Sequence, residues 1–76
     1  MPITLLNEGE KAEIISIKGT DATKKHLSNL GFAKGRVVSL QKFDGVNYIF
    51  LIDDNRFALS KDLAKRIIVK EIRWIH

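Results

Sequence analysis

The stretch LSNLGFAKGRVV, residues 27–38, decides how this chain folds, because a helix ends and a strand begins within it. Its two leucines lie three positions apart, as they do on one face of a helix. Gly31 follows the last periodic residue, where a left-handed C-cap is common, and Phe32 can fold back onto the helix from there. The stretch therefore predicts a helix that ends at Gly31 and a strand that opens at Gly35.

The residues upstream predict one strand and the helix itself. Residues 12–17, AEIISI, are β-branched and apolar enough to pair in a sheet. The helix is expected from Thr20 to Leu30. Thr20 or Asp21 caps its N-terminus, because either side chain offers an oxygen to the free backbone amides.

A β-hairpin is predicted downstream of Gly35. The strand-like runs 36–43 and 46–52 flank Asp44-Gly45, and such a pair predicts a type I′ turn with positive φ at both positions. Alternation places Val46, Tyr48, Phe50 and Ile52 on one face of the second strand and Asn47, Ile49 and Leu51 on the other. Apolar groups on both faces favour a curved, barrel-like sheet over an open one.

The last third of the chain predicts elements that complete the sheet. In order, they are a tight turn at Asp53-Asp54-Asn55, a short strand at 56–59, a single helical turn from Lys61 to Lys65 capped by Ser60, and a strand from Ile67 to Trp74. The predicted fold class is mainly β with one inserted helix, a small barrel of about five strands plus a short helical turn. The N-terminus is expected to be a loose start.

Length and composition bound the class of protein. The chain has 76 residues, and we expect a single domain over residues 1–76. It has no cysteine, which excludes disulfides and thiolate metal sites and fits a reducing cytoplasm. The longest apolar run, residues 48–52, is too short to cross a membrane, and the N-terminus lacks the basic region of a signal peptide. The expected location is the cytoplasm.

Catalytic and metal-binding chemistry are poorly supported. His26 and His76 are far apart in sequence, and the serines have no nucleophile signature. We therefore expect no enzymatic activity, no catalytic residue and no cofactor. A histidine beside helix leucines is more often a partly buried packing residue than a ligand, so no strong metal site is expected. A weak transition-metal site, or one shared between subunits, stays open.

The net charge of +4 leaves three kinds of partner to weigh. The basic residues are scattered, so a solvated surface is the preferred explanation, and the charge also suits an acidic protein partner or an anionic membrane surface. Small barrels can bind RNA through basic loops and exposed aromatics. The candidate aromatics are Phe43, Tyr48, Phe50 and Phe57, interleaved with Lys42 and Arg56. Protein binding is the default, with Trp74 either anchoring an interface or covering the open end of the barrel.

Three segments together resemble the ferrous iron transport protein A (FeoA) family. Residues 27–38 resemble its helix-to-strand segment, residues 6–14 its opening Gly-Glu and strand, and residues 57–69 its closing turn and Ile-Val strand. The resemblance covers residues 4 to about 69. The family often has proline where this sequence has Lys34, and paired arginines where it has Lys25-His26.

The resemblance implies an SH3-like barrel that serves bacterial ferrous iron uptake without being an enzyme. The implied partner is the cytosolic, GTPase-bearing part of the membrane iron transporter (FeoB), which the protein binds and modulates. The expected contact residues are Lys34, Arg36, Arg56 and Trp74. The alternatives are an RNA-binding small barrel and a metal-sensing domain like the C-terminal domain of iron-dependent repressors. Nucleic acid is not an expected partner, and the protein is not expected to insert into a membrane. Whether a C-terminal edge strand pairs with a second copy of the chain stays open.

Overall fold

The computed structural model describes residues 1–72, which form one antiparallel sheet with a helix inserted after its first strand. The elements are a 3-10 helix (Ile3–Leu5), β1 (Lys11–Ile17), α1 (Asp21–Asn29), β2 (Val37–Phe43), β3 (Asn47–Ile52), β4 (Asn55–Ser60), the single turn α2 (Lys61–Ala64) and β5 (Ile67–Glu71). The strand order across the sheet is β4-β3-β2-β1-β5. The predicted fold class and all five strands are confirmed. The last strand ends at Glu71, and its predicted end, Trp74, lies outside the described residues.

Helix α1 begins and ends as its sequence predicts. The Thr20 side chain accepts a hydrogen bond from the Thr23 N–H at 3.2 Å, so Thr20 is the N-cap. At the other end Gly31 has a φ of +106°, and its N–H donates to the Ser28 carbonyl at 3.0 Å. The Phe32 N–H donates to the Leu27 carbonyl at 2.9 Å. These two bonds form a Schellman motif, which satisfies carbonyls that the helix leaves free.

The core is built around the aromatic side chain that this motif turns inward. Phe32 is fully buried, and its ring meets the rings of Phe50 and Phe57 edge-on, each at a centroid distance of 5.8 Å. Aromatic pairs favour this edge-to-face arrangement. Every strand and both helices contribute further buried apolar side chains, among them Ile14, Leu27, Val38, Leu59, Ala64 and Val69. No polar or charged residue among those described is buried.

Two irregularities bend the sheet so that it wraps around this core. The register of β1 against β5 shifts between Ile14 and Ser16, and that of β2 against β3 shifts between Leu40 and Lys42. Bulges of this kind increase local twist. Helix α2 connects the edge strands β4 and β5 in sequence and packs against β4 and β3, and its N-terminus is capped by the Ser60 hydroxyl as predicted. Helix α2 also contacts the 3-10 helix, which packs against β5.

The N-terminus is ordered, so the predicted loose start is wrong. The Met1 amine donates to the Val69 carbonyl, and the Val69 N–H donates to the Met1 carbonyl, both at 2.7 Å. Pro2 bridges Ile68, and Ile3 is fully buried. Because residues 1–2 pair with β5, part of the edge strand expected to meet a second copy is already paired within the chain.

The hairpin at Asp44-Gly45 is confirmed, but its predicted turn type is wrong. Only Gly45 has positive φ, and three residues, 44–46, separate β2 from β3, so the loop is longer than a two-residue type I′ turn. The Asp44 carboxylate explains the difference: it accepts hydrogen bonds from the Asn47 N–H at 2.7 Å and the Val46 N–H at 2.9 Å. Val46, predicted to lie in the strand, is in this loop and 70% exposed.

Replacing Gly31 tests the helix-to-strand corner. A Cβ there would lie 3.8 Å from Ile52 Cδ1, an ordinary contact, so the cost comes from the backbone. We expect Gly31→Ala to lower the free energy of unfolding by about 1–3 kcal/mol. Gly31→Asn should lose less, because asparagine tolerates positive φ, and Gly31→Val should lose more. Urea unfolding measures these differences, and equal stability of all three variants and wild type would contradict the assignment.

Replacing Asp44 tests the hairpin loop through pH. The hydrogen bonds from Asn47 and Val46 lower the pKa of the Asp44 carboxyl below its ordinary value of 3.8. A lowered folded-state pKa stabilises the folded protein above that ordinary value, and the effect is lost as pH falls through the folded-state pKa. Unfolding measured from about pH 5 down to about pH 2 should therefore show a weaker pH dependence in Asp44→Asn than in wild type. Asp44→Asn keeps a side-chain acceptor, whereas Asp44→Ala loses it and should also be less stable at neutral pH.

Candidate functional site

The three predicted contact residues within the described part of the chain are all exposed. Lys34 lies in the loop between α1 and β2, Arg36 directly precedes β2, and Arg56 is the second residue of β4. Trp74 lies outside the described residues. The fold therefore places these cations on loop and strand positions around the start of β2, and their surroundings differ.

Arg36 is held in an ion pair. Its Nη2 lies 2.5 Å from Asp53 Oδ2, in the turn between β3 and β4. Asp53 has a φ of +54°, a conformation that aspartate tolerates better than most residues. Both side chains are well exposed, 46% for Arg36 and 71% for Asp53, so water screens the pair. A partner that offers a carboxylate to Arg36 has to compete with Asp53.

Arg56 belongs to a row of side chains that crosses the outside of the sheet. It is paired with Leu51 of β3, Leu51 with Ser39 of β2, and Ser39 with Lys11 of β1. Directly opposed residues in antiparallel strands project from the same face. All but Arg56 border a shallow depression, together with Val37 and Asp53. We call the surface formed by Lys11, Val37, Ser39, Leu51, Asp53 and Arg56 the outer face.

Lys34 contributes to a different surface, a groove between β1 and α1. The groove is lined by Ile15, Ser16, Ile17, Lys24, Ser28, Phe32, Ala33 and Lys34. The predicted contact residues thus divide between two surfaces, with Arg56 on the outer face, Arg36 paired to its Asp53, and Lys34 in the groove. Sequence reasoning missed Lys24 and Ile15. The sequence did contain a signal for Ile15: two adjacent isoleucines in one strand point to opposite faces, so one of the pair, here Ile15, is directed away from the core that covers Ile14.

The aromatic residues considered for RNA binding are mostly in the core. Phe50 is fully buried, Tyr48 nearly so, and Phe57 is half-buried. Phe43 is 38% exposed, but its ring stacks on Tyr48 at a centroid distance of 4.2 Å. A base could stack on at most one of these four rings without rearrangement of the core.

The histidine on α1 is solvent-exposed, so the expectation that His26 is a partly buried packing residue is wrong. Its neighbour Leu27 takes the buried position. Within residues 1–72, no three His, Asp or Glu side chains are grouped closely enough to hold a metal ion. His76 lies outside the described residues. No helix in the described part of the chain is long and apolar enough to cross a membrane.

Comparison with known protein families shows which family the chain belongs to. The family model described as the FeoA domain matches residues 1–71. The chain belongs to the FeoA family. This confirms the resemblance in its sequence and the SH3-like fold, and it associates the chain with ferrous iron transport at the level of the family. Comparison with curated proteins gives no significant match.

Solved structures of FeoA proteins superpose on almost all of the chain. FeoA of Stenotrophomonas maltophilia in complex with zinc, described as a prokaryotic SH3 domain protein, is 29% identical with a TM-score of 0.80, covering 92% of this chain and 89% of that one. FeoA of Chlorobium tepidum is 20% identical with a TM-score of 0.87, covering 96% and 71%. T. acidophilum IdeR, 23% identical with a TM-score of 0.85, shares the same fold over 95% of this chain but only 34% of its own.

Replacing Asp53 measures how firmly this FeoA domain holds Arg36. Asp53→Asn removes the charge while keeping a residue that accepts positive φ. Because the pair is exposed, we expect the free energy of unfolding to fall by no more than about 1 kcal/mol, and by less at high salt. Urea unfolding at two salt concentrations checks this. Asp53→Ala is the comparison that adds backbone strain and should lose more; a loss in Asp53→Asn well above about 1 kcal/mol, or one that high salt does not reduce, would contradict a weak, screened ion pair.

Proposed function

We propose that this chain is a single-domain, non-enzymatic accessory protein of bacterial ferrous iron transport. It acts in the cytoplasm by binding and modulating the cytosolic, GTPase-bearing part of the membrane iron transporter (FeoB). The observation that carries the proposal is the match of the FeoA domain to residues 1–71, nearly the whole chain. The Stenotrophomonas relative offers further support, since it is described as a candidate ferrous iron transport activating factor.

The surface charges support recognition of an acidic partner. The chain carries 13 Lys and Arg against 9 Asp and Glu. Arg56 and Lys34 are exposed, and neither is in an ion pair with another residue of the described range. Complementary charges raise the rate of encounter and fix the orientation of a complex, and salt weakens both effects. The outer face adds an exposed Val37, so it offers apolar contact beside its charges.

The alternatives have weaker support. RNA binding lacks a platform of free aromatic rings among the described residues, because Tyr48 and Phe50 are buried. A metal-sensing role has no group of candidate ligands in residues 1–72. The zinc complex of the Stenotrophomonas protein keeps weak binding of a transition metal within the proposal as a secondary property.

An NMR titration tests the proposal directly. Labelled protein is titrated with the cytosolic GTPase domain of the transporter from the same cell, at moderate salt. We expect shifts or broadening confined to one region of the surface and an affinity that falls as salt rises. Reversing both Arg36 and Arg56 to glutamate should weaken binding at least ten-fold, because it removes attraction and adds repulsion.

Lys61→Glu is the matched control for charge reversal. Lys61 is exposed on α2 and belongs to neither the outer face nor the groove. It should bind like wild type, apart from the small effect of the changed net charge. The control reverses one charge and the double variant two, so a loss of binding free energy in the control about half that of the double variant would indicate a non-specific charge effect. A spectrum of wild type that never changes, even at high partner excess, would refute binding to this soluble domain.

A further inference from the structure

The groove exists because β1 and β2 separate halfway along β1. The two strands pair only from Lys11 to Glu13. The last backbone bonds between this part of β1 and the residues before β2 are at Ile14, whose N–H donates to the Arg36 carbonyl at 2.9 Å and whose carbonyl accepts from the Gly35 N–H at 2.7 Å. Beyond Ile14, helix α1 and the loop after it lie beside β1. They leave a groove of about 390 Å³.

A bulge presents an isoleucine to this groove. The register of β1 against β5 passes from Ile14 opposite Val69 to Ser16 opposite Ile68, so Ile15 has no partner residue in β5. Bulges re-aim side chains and are over-represented next to functional sites. Ile15 is 37% exposed, although its buried neighbour Ile14 is fully covered. The apolar part of the groove continues from Ile15 to Ile17, and the fully buried Phe32 lies behind it.

Every charge that lines the groove is positive. Lys24 lies on α1 and Lys34 on the loop that follows it, and no acidic side chain lines the groove. Neither lysine takes part in an ion pair within residues 1–72. The hydroxyls of Ser16 and Ser28 add hydrogen-bond donors. The groove thus combines an apolar floor with unpaired cations, whereas Arg36, which lies outside the groove, is already paired with Asp53 of the outer face.

We propose that this groove docks an acidic peptide segment of the partner protein that carries an apolar side chain. The apolar side chain packs against Ile15 and Ile17, while neighbouring carboxylates bind Lys24 and Lys34. The proposal rests on the proposed function for the identity of the partner protein. The chemistry of the segment follows from the groove itself.

Charge favours this occupant over a second copy of the chain. A copy carries the same net charge of +4, so its approach to Lys24 and Lys34 is repulsive at long range. The concave position of the apolar floor, between a strand and a helix, fits a side chain on an extended segment. A flat anionic lipid surface reaches the lysines but not this floor. Second copies and lipid surfaces are therefore the outcomes that the test has to distinguish.

The test uses three synthetic peptides against the labelled protein. EDLFDE carries both features, EDSSDE lacks the apolar pair, and NQLFNQ lacks the charges. We expect EDLFDE to shift the amide signals of Ile15–Ile17, Ser28 and Ala33, with an affinity at least ten-fold higher than that of either other peptide. Lys24→Glu and Ile15→Ser should each reduce its affinity several-fold, whereas Lys61→Glu should not. Thermal unfolding confirms that each variant is folded.

Several results would overturn the proposal. Equal binding of EDLFDE and EDSSDE would mean non-specific charge attraction, and shifts outside the groove would place the site elsewhere. Shifts of groove signals on dilution without peptide would assign the groove to a second copy. Groove shifts with phosphatidylglycerol vesicles but not with EDLFDE would assign it to lipid.

The GTPase-domain titration separates this proposal from the proposed function. If that domain binds Lys24→Glu and Ile15→Ser as tightly as wild type and shifts no groove signal, the groove proposal fails and the proposed function stands. If EDLFDE binds in the groove and the GTPase domain binds nowhere, the groove proposal stands for another acidic protein and the proposed function fails.

Discussion

The packing of one aromatic side chain holds the rest of this molecule together. Phe32 is turned inward by the Schellman motif at the end of α1, and its ring meets Phe50 of β3 and Phe57 of β4. Helix α1 lies between β1 and β2 in sequence, so the contacts of Phe32 attach the end of this inserted helix to β3 and β4. Full burial of a phenylalanine stabilises a fold by about 1.5–3 kcal/mol, a large share of the stability of a small domain.

The same corner also separates two kinds of basic surface. On one side, Arg36 directly precedes β2 and forms an ion pair with Asp53, so its charge is partly satisfied within the molecule. On the other, Lys34 lies beside the groove with Lys24, and no acid lines that surface. The basic residues are scattered along the sequence, but the fold pairs some of them with acidic residues and leaves Lys24 and Lys34 together in the groove without such a partner. An acidic ligand meets less internal competition in the groove than it does at Arg36, which is why we assign the finer recognition to the groove.

Local rules predicted the elements well, and contacts distant in sequence account for what they missed. The cap at Thr20, the glycine at Gly31 and the hairpin at Asp44-Gly45 follow from residue chemistry within one turn of the chain. The prediction of the turn type was wrong because the Asp44 carboxylate accepts hydrogen bonds from two backbone amides and so stabilises a longer loop. The ordered N-terminus depends on β5, almost seventy residues away, and the groove depends on where β1 and β2 part. The pattern of apolar residues within a short stretch of sequence does not show which distant segments will pair.

The order of the strands has a consequence for how the chain reaches this state. Strands β2, β3 and β4 form a meander with short connections, whereas β1 pairs with β5 across most of the chain. Closing so long a loop costs entropy before its contacts repay it, so the meander can form early and the β1–β5 seam closes late. One wall of the groove is the half of β1 that this seam holds in place. A ligand in the groove therefore favours the closed seam by mass action and lowers the population of the locally opened sheet, so that occupancy and folding are thermodynamically linked.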